Sequence, residues 1–395
     1  MKKVLVTKDI LMKAYLPVYG NTYWKTPNID ALAEKGTIFD RYYTAAPSTA
    51  MAFTSMVTGK YAYELERKVY QHEEEYTGRT IFDTFIEAGV QNFIIWSTNY
   101  NKFALPFANC FRNATIKTLD MNQPVGPHIA SLEPLERDEE KARRTLKKLF
   151  DVIDEVPDDN VFLWIHLPHT ILGRISYGDD IDLLDEIIGY LRKKYGDDNI
   201  FISADHGNMN GLHGKFCYGF DLNEAAINIP LITPWKGVRR CQEILSNTRL
   251  KELIMSDEIP KCDYVLSETA YYMQPKRKIA IIQNEYKYEY DKWNKQEKLT
   301  DVIYDPMGNI NLLERIGFDI DRKRKINIDE VFFYPFWDRI PETLTKFQSI
   351  FSSIWRQGTK KEERKIRLKQ IAIEKYGAVI RKLPQKQTKV YRKNG

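Results

Sequence analysis

Cysteine is scarce in this 395-residue chain. Cys110, Cys217, Cys241 and Cys262 are the only four, and their spacings pair with nothing. That excludes a disulfide framework and a Cys-type zinc site. No apolar run exceeds about five residues, far below the roughly 18 needed to span a membrane. The opening Met1-Lys2-Lys3-Val4-Leu5-Val6-Thr7-Lys8-Asp9 becomes charged too soon for a signal peptide. No HExxH helix and no internal repeat are found. Against these absences, 43% of residues are hydrophobic and 13% aromatic, ample for a buried core. The expectation is a cytoplasmic enzyme of two or three structural units, at a prior of about 150 residues each.

Charge is unevenly placed. The net charge is +5, yet Arg356 to Gly395 carries 14 Lys+Arg against 3 Glu, leaving residues 1–355 mildly acidic. Upstream of that stretch Leu344, Phe347, Phe351, Ile354 and Trp355 keep helical spacing, and within it Ile366, Ile373 and Ile380 recur every seven residues. The pattern predicts a helical, basic tail over 341–395 whose amphipathic helix is stopped by Pro384. Its stripe suits packing onto the acidic body or onto a second copy of the chain. Its basic face suits peripheral contact with an anionic membrane, where each Lys or Arg contributes about 1 kcal/mol. No nucleic-acid motif accompanies the charge, so nucleic acid is not an expected partner.

Through the body, strand-like and helix-like segments alternate. Lys2 to Thr7, Asn92 to Trp96, Val161 to Ile165 and Asn199 to Ser203 read as strands. Pro27 to Lys35 (with Thr26 as cap and Gly36 as stop), Glu139 to Glu155 and Ile181 to Lys194 read as helices. This predicts an α/β fold with a mainly parallel sheet sandwiched by helices. From Lys278 the texture changes: Ile279 to Ile282, Tyr286 to Tyr290 and Thr300 to Tyr304 read as an antiparallel meander. The expected division is a catalytic domain over 1–275, a small antiparallel β subdomain over 276–340, and the tail.

Three predicted strand ends carry polar residues: Asp9, His166 with His169, and Asp205 with His206. Sites in open α/β sheets form outside the carboxyl ends of the strands, and two carboxylates with an imidazole suit a divalent cation. Taken singly, each is equally a turn former or a helix cap.

Order and spacing carry more. Asp9, Tyr19-Gly20, Thr26-Pro27-Asn28-Ile29-Asp30, Phe39, Tyr43, the segment Ala46 to Phe53, Thr58-Gly59 and Asp205-His206-Gly207 follow one another. His213-Gly214, Asn223 to Leu231 and Tyr304-Asp305-Pro306 continue the series. The whole resembles the sulfatase-like family of the alkaline phosphatase superfamily. The resemblance spans roughly residues 2 to 315 and implies an alkaline phosphatase-like fold. It places the nucleophile nine positions before the Thr of Thr-Gly, which is Thr49, next to Ser48. Both hydroxyls otherwise serve as caps for the following helix.

Departures from the pattern point to the chemistry. Position 49 is neither Cys nor Ser, so the formylglycine of sulfatases has no precursor, and Pro-Ser-Arg is replaced by Met51-Ala52-Phe53. Ile10 stands where sulfatases carry a second Asp. What remains resembles the single-metal site of phosphoglycerol and phosphoethanolamine transferases. It implies one divalent ion (Mn, Mg, Zn or Ca) held by Asp9, Thr49, Asp205 and His206. His166, His169, His213 and Lys215 are the expected substrate-binding layer, with His169 the better placed of the first two. No Asp-x-x-x-His precedes Asp205, which argues against a second metal. The expected function is metal-dependent hydrolysis or transfer of phosphate esters, on a phosphorylated small molecule, glycan or lipid-linked intermediate. A sulfatase or phosphonate-type hydrolase without formylglycine is the alternative among enzymes, and a non-catalytic binder of anionic glycans the alternative outside them.

Overall fold

The computed structural model describes residues 1–65, 76–101, 110–121, 139–168, 180–209, 211–215, 218–256, 259–269, 278–291 and 294–312. His169 and the tail 341–395 lie outside them. The chain divides into two units, Met1–Asn284 and Glu285–Gly395.

Nine strands of the first unit form one sheet. They are β1 (Lys2–Lys8), β2 (Thr37–Tyr43), β3 (Gln91–Ser97), β4 (Thr115–Leu119), β5 (Val161–Leu167), β6 (Ile200–Ala204), β7 (Asn228–Thr233), β8 (Arg240–Cys241) and β9 (Leu245–Ser246). The order is β4-β3-β5-β1-β6-β7-β2-β8, and β9 also pairs with β2. Every pairing is parallel except those of β7 with β6 and with β2, so β7 alone runs against the rest. Strands buried on both faces read as continuous apolar runs, and β5, VFLWIHL, is buried at every residue. The sequence reading ended this strand before His166. The structure carries it through Leu167, with His166 paired to Thr7 and Trp96.

Seven helices accompany the sheet among the described residues: α1 (Pro27–Lys35), α2 (Thr49–Thr58), α3 (Ile81–Glu87), α4 (Glu139–Asp154), α5 (Ile181–Tyr195), α6 (Glu224–Ile227) and α7 (Leu250–Met255). Thr26 occupies the N-cap position of α1, its carbonyl taking the Asp30 N–H, but its side chain caps no helix N–H. Its hydroxyl donates to Asp30 at 2.9 Å, and the buried Asp185 of α5 takes the Asn28 and Ile29 N–H groups at 3.0 and 2.9 Å. Asn28 Nδ2 also donates to Asp185 at 2.9 Å. A carboxylate reaching across from another helix offers the orphan amides a charged acceptor, which a hydroxyl cannot match.

The antiparallel part begins inside the first unit, where β10 (Val265–Glu268) pairs with β11 (Lys278–Gln283). In the second unit β12 (Tyr286–Asp291) pairs with β13 (Gln296–Asp301). The segment expected as a strand over Thr300 to Tyr304 is therefore a strand end and a turn. The Asp301 carboxylate accepts the Ile303 and Tyr304 N–H groups, an Asx-type turn that stops the ladder.

Candidate active site

Asp9 leaves the end of β1 with its N–H on Leu167 O at 2.9 Å, so the loop is tied to the end of β5. Ile10 follows with φ of 54°, an uncommon left-handed conformation for a β-branched residue. That strain turns the Ile10 N–H onto Asp205 Oδ1 at 3.3 Å. Asp205 leaves β6, and the same oxygen accepts the His206 N–H at 2.8 Å. Gly207 then passes α6 closely: its N–H donates to Ala226 O, and a Cβ here would lie 2.0 Å from Ala225 O.

His206 is fully buried and its tautomer is set from behind. Nδ1–H donates to Gly207 O at 2.8 Å, which leaves Nε2 facing the site. That nitrogen lies 3.2 Å from the Thr49 hydroxyl oxygen and 3.5 Å from both Asp9 Oδ1 and Asp205 Oδ2. The Thr49 hydroxyl donates its one hydrogen to Asp205. Of the two neighbouring hydroxyls, Thr49's is the one bonded here; Ser48 Oγ is buried with no partner.

Thr49 is the first residue of α2, and Phe53 lies one turn along the same face. Phe53 is inserted among His166, Trp164, Trp96, Phe111 and Tyr100, with ring centroids 4.6, 5.0, 6.2, 6.3 and 6.4 Å away. The position where the family pattern has arginine is thus an apolar anchor that fixes the helix over the strand ends.

Burial raises the Asp205 carboxyl toward neutrality; His206 opposes this and Asp9 adds to it. Burial lowers His166 to about 3, so its imidazole is neutral at physiological pH. One oxygen each of Asp9 and Asp205 and a ring nitrogen of His166 lie within 4.8 Å of one another. Two dry carboxylates facing each other are costly without a cation, and an imidazole and a hydroxyl adjoin them. The clustered donors Asp9, Asp205 and His166 fit a divalent ion, so the structure groups His166, expected in the substrate-binding layer, with the two carboxylates, while His206 and Thr49 lie beside them.

The remaining expected residues sit differently. Lys215 and Lys278 both pair with Asp221, the second at 3.1 Å, while His213, in a left-handed conformation, lies 3.5 Å from Asn223. Burial pushes Asp221 up, but the two lysines outweigh it and hold the carboxyl below its usual range. Lys215 is therefore half of an ion pair. The sequence reading missed Tyr100, whose hydroxyl donates to Asp9 Oδ2 at 2.8 Å, and Tyr218, whose ring lies 4.4 Å from that of His206. Tyr100 stands just beyond the end of β3, the kind of position that marked Asp9 and Asp205.

Residues 3–170 match the sulfatase family model. No curated protein matches the chain. Among solved structures it is similar to a 2-O GAG sulfatase at a TM-score of 0.60 and 14% identity, covering 92% of this chain and 93% of that one. The phosphonate monoester hydrolase of Agrobacterium radiobacter also gives 0.60 and 14%, covering 82% and 94%. A protein solved in complex with its substrate D-glucosamine-2-N,6-O-disulfate gives 0.58 and 14%, covering 82% and 95%. The chain carries the fold shared by these sulfatases and the phosphonate monoester hydrolase, and its residues 3–170 match the sulfatase family model.

Proposed function

We propose that the chain is a metal-dependent enzyme that hydrolyses or transfers phosphate esters through the Thr49 hydroxyl. The observation that carries this is the convergence of Thr49 Oγ1 with His206 Nε2 at 3.2 Å, beside the buried Asp9 and Asp205. A threonine hydroxyl is a weak nucleophile until its proton is taken or its pKa lowered. A divalent cation bound by these side chains would supply charge neutralisation and orientation at the reacting centre. Thr49 Oγ attacks phosphorus, a Thr–O–P bond forms, and the ester oxygen leaves with its electron pair. The hydroxyl proton passes along a hydrogen bond it already makes, to Asp205, whose burial favours the protonated form. His166, neutral and buried at the same strand ends, donates to an oxygen of the substrate. Water or an acceptor alcohol then completes hydrolysis or transfer.

A sulfuryl ester is the second reading, favoured by the family match and by the sulfated glucosamine held by one structural neighbour. Phosphorus is preferred because Thr49 offers no precursor for formylglycine. The substrate class in either case is an anionic ester of a small molecule or glycan. The test is turnover of aryl phosphate mono- and diesters and aryl sulfate with Mn²⁺, Mg²⁺, Zn²⁺ or Ca²⁺, in wild type and Thr49→Ala. Phosphate-ester turnover lost in the variant, with cation binding retained, is expected. Full activity in Thr49→Ala overturns the nucleophile, and turnover of the sulfate alone overturns the choice of phosphorus.

A further inference from the structure

We propose that Lys278 and Lys215 together form a subsite for an acidic group of the ligand, separate from the reacting ester. Asp221 is the carboxylate that gathers them. Lys215 Nζ and Lys278 Nζ both donate to one atom, Asp221 Oδ2, the second at 3.1 Å. The other oxygen, Oδ1, accepts the Asn223 N–H at 3.0 Å, which fixes the carboxylate from behind.

Charge does not balance there. Two ammoniums and one carboxylate leave one positive charge over, and two cations gathered on a single oxygen repel each other. An ammonium carries three donors, and among the described residues each of these lysines uses only the bond to Asp221. The side chains of Lys215 and Lys278 are 38% and 26% exposed, against 10% for Asp221. The counter-ion is thus buried while donors of both ammoniums remain open to a ligand. An oxyanion with several acceptor atoms (a carboxylate, sulfate or phosphate) is the group that satisfies both at once.

Two tethers place this pair beside the ester site. Lys278 opens β11; its N–H donates to Thr269 Oγ1 at 2.8 Å, and its carbonyl accepts the Thr269 N–H at 3.0 Å. Thr269 follows β10, whose last residue, Glu268, donates its N–H to Ala45 O at 3.0 Å on the segment that leads into Thr49. On the other side Asn223 caps α6 through the Ala225 N–H at 3.1 Å, and Ala226 O of that helix takes the Gly207 N–H at 2.9 Å, next to His206. The lysines are strung between the segment that delivers Thr49 and the one that delivers Asp205 and His206. Neither bonds any of those three, so both serve a part of the ligand beyond the ester. The substrate class this selects is an ester that carries a second acidic group, such as a bisphosphorylated sugar. Placing that group on the substrate rests on the function proposed above; the anion subsite does not. Asp221 opposes the incoming anion, because it competes for the same two ammoniums.

The test reads binding rather than turnover. Lysines of the full-length protein with Mn²⁺ are acetylated with and without sodium sulfate and mapped by mass spectrometry. Sulfate should protect Lys215 and Lys278; no protection at either overturns the subsite. Calorimetry on Thr49→Ala, chosen to remove turnover, then compares glucose 1,6-bisphosphate with glucose 6-phosphate. The bisphosphate should bind on the order of tenfold more tightly, the effect expected of one charge-assisted hydrogen bond. Added to that background, Lys278→Gln should abolish the advantage and Asp221→Asn should enlarge it, a gain that a merely structural ion pair would not give. Equal affinity for the two sugars overturns the assignment to substrate, and an advantage that neither substitution moves overturns the role of the lysines. Asp221→Asn decides the matter even if Lys278→Gln fails to fold. A bisphosphate advantage without any phosphate-ester turnover in wild type would sink the proposed reaction and leave the subsite standing.

Discussion

Replacing Phe53 with alanine tests whether the nucleophile is held in place by packing rather than by polar bonds. Phe53 is 2% exposed and meets five rings at centroid distances from 4.6 to 6.4 Å. Truncating a buried phenylalanine costs about 3–5 kcal/mol, and the upper half is expected here, because three of the five rings (Trp96, Trp164 and His166) stand on strands of the sheet, which cannot collapse into the void. Phe53→Leu, which keeps most of the volume, should cost about 1.5 kcal/mol or less. Urea unfolding followed by tryptophan fluorescence reads this directly, since Trp96 and Trp164 line the same box. Thr49 lies one turn away on the same helix, so loss of the anchor should also loosen its 3.2 Å contact with His206. A misplacement of about 1 Å costs on the order of 100-fold in rate, with bound cation unchanged. An alanine variant within 1 kcal/mol of wild type and fully active would refute the anchoring argument.

Asp185→Ala should cost about 2–3 kcal/mol, because it strips a buried carboxylate from two helix-terminal N–H groups and an amide; unchanged thermal stability would contradict the tertiary cap. His166 has a folded pKa of about 3 against an ordinary 6.5, so the unfolded chain takes up this proton first as pH falls. Its contribution is complete above about pH 6.5 and is lost toward pH 3, up to roughly 5 kcal/mol, so urea midpoints of the cation-free protein should fall more steeply with acid than those of His166→Gln. Asp205 has the opposite sign: its folded pKa is raised, so its contribution in the cation-free protein is present in acid and is lost as pH rises toward neutrality. A cation must displace that proton, so affinity measured by calorimetry should rise from about pH 5 to 7 with proton release; a flat profile would exclude it.

The sheet was legible because its strands are buried on both faces, and LVTK, FIIW, VFLWI and IFIS stand out as apolar β-branched and aromatic runs between helical periods. Asp9 and Asp205-His206 were legible because a polar residue that ends such a run lands at the carboxyl edge of the sheet. Thr49 came from register within the resemblance, since helix periodicity alone treats it as a cap. Long-range partners were not legible. Asp185 takes the Asn28 N–H from 157 residues away, and no local pattern encodes that reach. Phe53 reads as a core residue, which it is; only its neighbours reveal that it steadies the nucleophile.

The left-handed turn at Ile10 settles the electrostatic balance of the cleft. Sulfatases of the resembling pattern place a second carboxylate there and an arginine where Phe53 stands, so this chain has given up one charge of each sign at once. An amide hydrogen now faces Asp205 where another anion would otherwise crowd it. Under the proposed function, Asp9 and Asp205 would together match a single divalent ion, and an arriving ester would meet a neutral floor. A singly charged diester asks less of such a floor than a doubly charged monoester, and that preference would follow from two apolar side chains that never touch the reacting atoms.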